Sequence, residues 1–238
     1  MLDRLAQRMA QLDWSSVRLS LDEHGYAKLP AVLDAAACEH LIGTYTEEAN
    51  FRKTISMARY RFGIGEYKYF DAPLPPLLQQ LREGLYPELA GLANVWRQRL
   101  GSGGSPYPER LALFLERCRE AGQTRPTPLI LKYEAGGYNC LHQDMYGDVF
   151  FPFQVVFALN RLGEDYKGGE FLLVEQRPRA QSRGHALSLA QGEGLVFPTN
   201  HRPVQGVRGY YRTAVRHGVS TVTEGARYSL GIIFHDAK

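Results

Sequence analysis

From residue 126 to residue 238 the chain is a succession of short runs rich in β-branched and aromatic residues, each closed by glycine, proline, asparagine or another turn former. "PTPLILKYE" is followed by the turn "AGG". After it come "FPFQVVFALN", "GGEFLLVEQ", "HALSLAQGEGLVF" and "TAVRHGVSTVTEGARYSLGIIFH". The last two each read as a pair of strands, the first pair joined by a glycine-containing turn and the second through "EG". A short strand buries one face and leaves its edges unpaired, and many in series satisfy both demands by wrapping into two packed sheets. The expected fold is mainly β with helices (α+β): a double-stranded β-helix, or jelly-roll, core.

The first half has a different texture. "MLDRLAQRMAQLDW" has helical apolar spacing, "GYAKLPAVL" has strand character, and "DAAACEHLIGTYTEEANF" opens on Asp34, an expected N-cap. "LPPLLQQLREGLYPELAGLANVWRQRL" predicts one or two helices punctuated by Gly84 and Pro87. "GSGGSPYP" is a loop, and "ERLALFLERCREAG" an amphipathic helix ending at Gly122. No internal repeat is visible. The expectation is a single domain, 1–238. In it residues 1–125 form a helical or mixed support and a possible substrate lid, and 126–238 the jelly-roll core.

Composition narrows the setting. An apolar content of 44% supplies a sizeable core. The longest apolar run, "VFFPFQVVFAL", is broken by Pro152 and Gln154, so no membrane span is expected. The N-terminus lacks a signal-peptide apolar region, and a cytoplasmic location is the default expectation. Cys38, Cys118 and Cys140 form no CxxC and no even-numbered framework, which suits a reducing compartment. Cys140 reads as a buried apolar thiol, or else as an extension of a metal cluster.

The net charge of +3 conceals an uneven distribution. Residues 177–216 hold Arg177, Arg179, Arg183, Arg202, Arg208, Arg212 and Arg216 against one acid, Glu193, a net of +6. Residues 51–70 carry Arg52, Lys53, Arg59, Arg61 and Lys68 against Glu66, interleaved with aromatics. Both stretches could meet a polyanion such as nucleic acid, or be solvated faces.

The chemistry centres on "YNCLHQD". Alternate residues of a strand point to one face, so His142 and Asp144 would project together with Cα atoms roughly 6.6 Å apart, close enough to share a metal ion. A third ligand should come from a late strand that the roll brings alongside. His217 in "VRHGVS" fits, 75 residues on. His201, in "FPTNHRPVQG", is the rival, but its proline and glycine suggest a loop, and His217 is favoured. Ten residues beyond His217 stands Arg227, and two beyond that Ser229, on one strand face. A buried arginine needs an anion, and a dicarboxylate would supply one in bidentate geometry. Two histidines and a carboxylate on one face of an iron leave three positions open, as in non-haem Fe(II) oxygenases.

In this order the residues resemble the Fe(II)/2-oxoglutarate-dependent dioxygenase superfamily. More closely, the chain resembles a bacterial family of such oxygenases described as acting on damaged nucleic acid. The likeness runs over nearly all the chain and is sharpest at "GQTRPTPLILKYE", "YNCLHQD", "GGEFLLVEQRPRAQSR", "RHGVS" and "LGIIFHDA". The resemblance implies Fe(II) on His142, Asp144 and His217, with 2-oxoglutarate and O₂ as co-substrates. It implies Arg227, helped by Ser229, on the distal carboxylate of 2-oxoglutarate, with the Tyr133 hydroxyl also near that co-substrate. The implied reaction is hydroxylation of a substrate C–H, and on an N-methyl group of alkylated nucleic acid that amounts to oxidative demethylation. The alkylated-DNA repair dioxygenases carry a second arginine six residues after the first, where this chain has Ile233. Hydroxylation of a protein side chain or small molecule is therefore an alternative. So is a non-catalytic jelly-roll module that binds a metal and a small acid.

Overall fold

The computed structural model describes residues 1–145 and 147–238. Its five helices all lie in the first half: α1 (Leu2–Ala10), α2 (Trp14–His24), α3 (Ala35–Thr44), α4 (Pro76–Arg99) and α5 (Leu111–Glu120). Four strands share that half, β1 (Ala27–Leu29), β2 (Phe51–Ser56), β3 (Gly63–Ile64) and β4 (Glu66–Phe70). The second half holds β5 (Leu129–Glu134), β6 (Tyr138–His142), β7 (Phe153–Ala158), β8 (Tyr166–Gly168) and β9 (Phe171–Gln176). It continues with β10 (Arg183–Leu187), β11 (Gly194–Pro198), β12 (His201–Gly206), β13 (Gly209–Val219) and β14 (Val222–Ile233).

These strands form two antiparallel sheets. The larger runs β1-β11-β7-β14-β5-β4-β2, with β8 beside β14. The smaller runs β10-β9-β13-β6-β3, with β12 beside β13. The chain passes between sheets from β5 to β6 and from β13 to β14, which is the jelly-roll wrapping expected from the strand texture. Strands from the first half extend both sheets: β1, β2 and β4 join the larger and β3 the smaller.

The helices cover the outer side of the larger sheet. Asp13 and Asp34 cap α2 and α3 by accepting from Ser15 N at 3.0 Å and from Ala37 N at 2.9 Å. The segment expected as one or two helices is a single helix of 24 residues that runs through Pro87. A proline inside a helix forfeits one hydrogen bond. The buried stripe Leu78, Leu81, Leu85, Leu89 and Trp96 holds the helix on the core regardless. Gly84 is a packing glycine: a Cβ there would lie 2.7 Å from Met9 Cε of α1. Arg82, 2% exposed, ties α4 to the end of β14 through the Ile233 and Phe234 carbonyls and the Asp236 carboxylate.

Two local expectations are corrected. "EG" is not a hairpin turn. Glu224 and Gly225 sit inside β14 opposite Lys167 and Tyr166 of β8, across a register shift, and the chain reverses at Ser220–Thr221 instead. β10 and β11 are the two strands expected in "HALSLAQGEGLVF", with Gly192 in the turn between them, and they lie in different sheets. His201 starts a strand, not a loop: among the described residues β12 pairs with β13 alone, and an edge strand tolerates the missing N–H of Pro203.

The basic stretches are only partly available to a polyanion. Arg202 is 2% exposed, ion-paired to Glu175, and donates to the Asp22 carbonyl at 2.9 Å. Lys68 is buried between the Tyr45 carbonyl at 3.0 Å and Glu48 at 2.5 Å. Arg52 donates to the Pro126 carbonyl and stacks over Tyr69. Removing one partner of a buried pair strands the other charge, so Arg202→Ala should cost roughly 3–5 kcal/mol in urea unfolding. An unchanged unfolding midpoint would contradict this structural role.

Candidate metal and dicarboxylate site

His142 ends β6 and His217 sits in β13, and the two are directly paired across the antiparallel ladder. Their ring centroids are 4.2 Å apart. Asp144 lies two residues beyond the end of β6 and turns its carboxylate between them. Oδ1 is 3.6 Å from His142 Nε2, and Oδ2 is 3.2 Å from His217 Nε2. One ligand atom from each of the three residues falls within 4.8 Å of the others, a spacing that could hold one metal ion.

Local register creates this convergence. Between the pairs His217↔His142 and Val219↔Asn139 the ladder shifts, one residue of β13, Gly218, facing two of β6, Cys140 and Leu141. Such a bulge re-aims side chains. It requires the strands to approach closely at Gly218, where a Cβ would lie 2.6 Å from the Asn139 carbonyl.

The two imidazoles are prepared differently. His142 Nδ1 lies 2.7 Å from the Cys140 carbonyl, an oxygen that can only accept, so Nδ1 carries the proton and Nε2 keeps its lone pair for a metal. Cys140 itself is exposed and outside the ligand cluster. Contrary to both expectations for it, its contribution is a main-chain oxygen. His217 is buried between Phe171, stacked at 5.7 Å, and Phe197, at 4.8 Å. Burial lowers its pKa, opposed by the Asp144 carboxylate, and so favours the neutral ring that a ligand must be.

The cluster opens into a cavity of about 380 Å³ between the sheets, lined also by Tyr133, Arg227 and Ser229. The last two project from β14, and Tyr133 is Arg227's cross-strand partner on β5. Arg227 is 4% exposed. Its guanidinium donates to Ser229 Oγ at 3.1 Å and lies 5.6 Å from the centroid of the Tyr133 ring. Among the described residues no carboxylate forms an ion pair with it: Glu170 is near, but its carboxylate is taken by Ser220 Oγ. A buried cation without a counter-ion fits an incoming carboxylate. Burial pushes the Tyr133 phenol up to about 12, so it stays a neutral hydroxyl, and Asn139 Nδ2 donates to it at 3.4 Å.

Two further residues stand out. Gln154 is a polar interruption of the apolar run on β7; it lines the cavity, is 5% exposed, and its Nε2 has no hydrogen-bond partner among the described residues. The signal was visible as a lone glutamine among phenylalanines and valines, but nothing in the sequence said which way it points. Ile233 also lines the cavity, so no second cation stands at that position. His201 lies apart, on a different cavity.

Residues 51–70, the basic aromatic stretch of the half expected to include a substrate lid, are mostly sheet. Only the turn between β2 and β3 leaves it, with Tyr60 and Phe62 exposed and stacked at 5.6 Å and with Arg61 and Phe62 on the cavity wall. Gly218→Ala should force β6 and β13 apart and weaken Mn(II) binding at least tenfold by calorimetry, with about 1–3 kcal/mol lost in stability. Wild-type metal affinity in that variant would show that the close approach is not required.

A family model described as "Oxygenase, catalysing oxidative methylation of damaged DNA" matches residues 65–237. Two Mycobacterium tuberculosis proteins, both described as uncharacterized, are each 52% identical over 168 residues, covering 71% of this chain and 72% of theirs. Among solved structures, a Pseudomonas putida prolyl-4-hydroxylase superposes with a TM-score of 0.54 at 17% identity, over 94% of this chain and 99% of that one. A Burkholderia pseudomallei protein of the 2OG-Fe(II) oxygenase family does so with a TM-score of 0.55 at 16% identity, over 94% and 92%. At those identities the likeness speaks for the fold. The chain belongs to the oxygenase family described as catalysing oxidative methylation of damaged DNA, and its fold is that of the 2OG-Fe(II) oxygenase and prolyl-4-hydroxylase structures it superposes on.

Proposed function

We propose that this oxygenase removes methyl groups from damaged nucleic acid, with Fe(II) on His142, Asp144 and His217 and the distal carboxylate of 2-oxoglutarate on Arg227 and Ser229. The observation that carries the reading is the pairing, in one cavity, of a convergent His-Asp-His cluster with a buried arginine that has no carboxylate partner. Together with O₂, these groups would supply oxidative decarboxylation to succinate and CO₂ and insertion of one oxygen atom into a substrate C–H bond. On an N-methyl group the hydroxylated carbon leaves as formaldehyde, so the net change is removal of the methyl group.

The chain's own residues have distinct tasks in this scheme. Arg227 neutralises a carboxylate and Ser229 keeps the guanidinium fork in place. Phe171, Phe197 and Val156 make the wall apolar and exclude water from the reacting bond. The Gln154 amide, with an N–H to spare, donates to an acceptor on the substrate. At the mouth, the stacked Tyr60 and Phe62 with Arg59 and Arg61 offer a ring face and positive charge to an extruded base and its phosphates. Ile233 favours a second reading, hydroxylation of a protein side chain or small molecule, because the position six residues after Arg227 does not carry the second arginine of the alkylated-DNA repair enzymes.

A screen reading succinate, with Fe(II), 2-oxoglutarate, O₂ and either methylated single- and double-stranded DNA and RNA or prolyl peptides, separates these readings. Turnover on methylated nucleic acid should release formaldehyde and fall steeply with salt. Turnover on peptides alone would replace the first reading with the second. In the active pairing His142→Ala should abolish succinate formation, and Arg227→Ala should raise the 2-oxoglutarate requirement on the order of 100-fold. Full turnover in either variant would remove its assigned role.

Gln154→Leu should leave the 2-oxoglutarate requirement unchanged and raise the KM for the prime substrate roughly tenfold, from loss of one hydrogen bond. A shift in the 2-oxoglutarate requirement instead would reassign the amide to the co-substrate.

A further inference from the structure

A second cavity, of about 640 Å³, lies on the far side of the loop that carries Asp144. Arg97 from the end of α4, Arg117 from α5, Arg212 from β13 and His201 from β12 line it. The one acidic residue on its described wall, Asp148, is engaged by Lys238 Nζ at 2.7 Å.

Among the described residues the three guanidiniums bond only to neutral oxygens of the glycine-rich loop that follows α4. Arg97 Nη1 reaches the carbonyls of Gly104 at 2.7 Å and Ser102 at 3.5 Å. Arg117 Nη1 reaches that of Pro106 at 2.6 Å, and Arg212 Nη2 the Ser102 hydroxyl at 3.4 Å. Arg97 Nε is buried with no partner among the described residues. Four other arginines are neutralised by carboxylates: Arg18 meets Glu88, Arg82 Asp236, Arg99 Asp22 and Arg202 Glu175. Three uncompensated cations around a concavity focus a positive potential into it. Trp96, Tyr107, Val149 and Pro152 give the wall an apolar part, beside the polar Ser102, Ser105 and Asn200.

Guanidinium forks match phosphate oxygens in bidentate geometry, and an apolar wall beneath them suits a flat ring. We infer that this cavity binds a phosphate-bearing ligand with an aromatic part, the chemistry of a nucleotide, at a site separate from the oxidation cavity. The site shares a wall with the metal cluster. Met145, on the cavity, follows Asp144 directly, and Gln143 Nε2 donates to the Asn200 carbonyl at 2.7 Å, also on the cavity. The inference rests on this charge distribution and does not depend on the oxygenase reading.

Calorimetry on the full chain without iron or 2-oxoglutarate tests it, using AMP, inorganic phosphate and a 5′-phosphorylated dinucleotide. AMP should bind saturably and more tightly than inorganic phosphate. Arg117→Gln and Arg212→Gln should each weaken it about tenfold, which is about 1.4 kcal/mol. Arg212 touches the loop only through its long contact with Ser102, so this variant should keep the wild-type melting temperature. Arg227→Ala, in the other cavity, should bind AMP as wild type does. Tighter binding of the dinucleotide than of AMP identifies a strand as the natural source; equal binding identifies a free nucleotide. Absence of saturable binding by either nucleotide ligand, equal affinity for phosphate and AMP, or a loss in Arg227→Ala in place of Arg212→Gln would overturn the assignment.

Discussion

The registration of β6 against β13 is the constraint on which the rest depends. It sets His142 opposite His217 and leaves Asp144 two residues past the strand end, with its carboxylate turned back between them. A slip of one residue would send both imidazoles to opposite faces of the sheet. The register is held from both sides. β9 pairs with β13 along Ala214–Val219, and β3 pairs with Asn139 and Tyr138 of β6. A two-residue strand from the first half thus supports a ligand set drawn entirely from the second.

Three buried arginines illustrate how context assigns different tasks to one side chain. Arg82 and Arg202 are saturated by carboxylates and carbonyls, and they fasten helices to strands. Arg227 is equally hidden but has a hydroxyl and a ring for company. Leaving a guanidinium so poorly compensated destabilises the folded chain. The same deficit is what makes the cavity receptive to a carboxylate.

Much of this was legible in the sequence because it follows from alternation. Two-residue spacing put Arg227 and Ser229 on one face, and the short-strand texture predicted the roll. Asp34 announced its helix, and the order His142, Asp144, His217 marked the cluster. The failures share one cause: they concern partners distant in the chain. That Arg202 would find Glu175 and Lys68 would find Glu48 depends on tertiary placement, so a count of positive charges overstated what is available at the surface. Gly225 looked like a hairpin turn, yet β8 pairs there and makes the glycine part of a bulged strand. Pro203 argued against a strand at His201 because nothing local revealed that β12 would be an edge. Gln154 was visible as an oddity, but its direction was not.

The acceptor that orients His142 is the main-chain oxygen of residue 140. Every amino acid carries that oxygen, so the side chain at 140 is at liberty to drift over evolutionary time without disturbing the imidazole's tautomer. No such latitude exists at 218, where the backbone of the facing strand occupies the space a methyl group would need. Among relatives, therefore, variability at the first position and invariance at the second would be the trace this geometry leaves in an alignment.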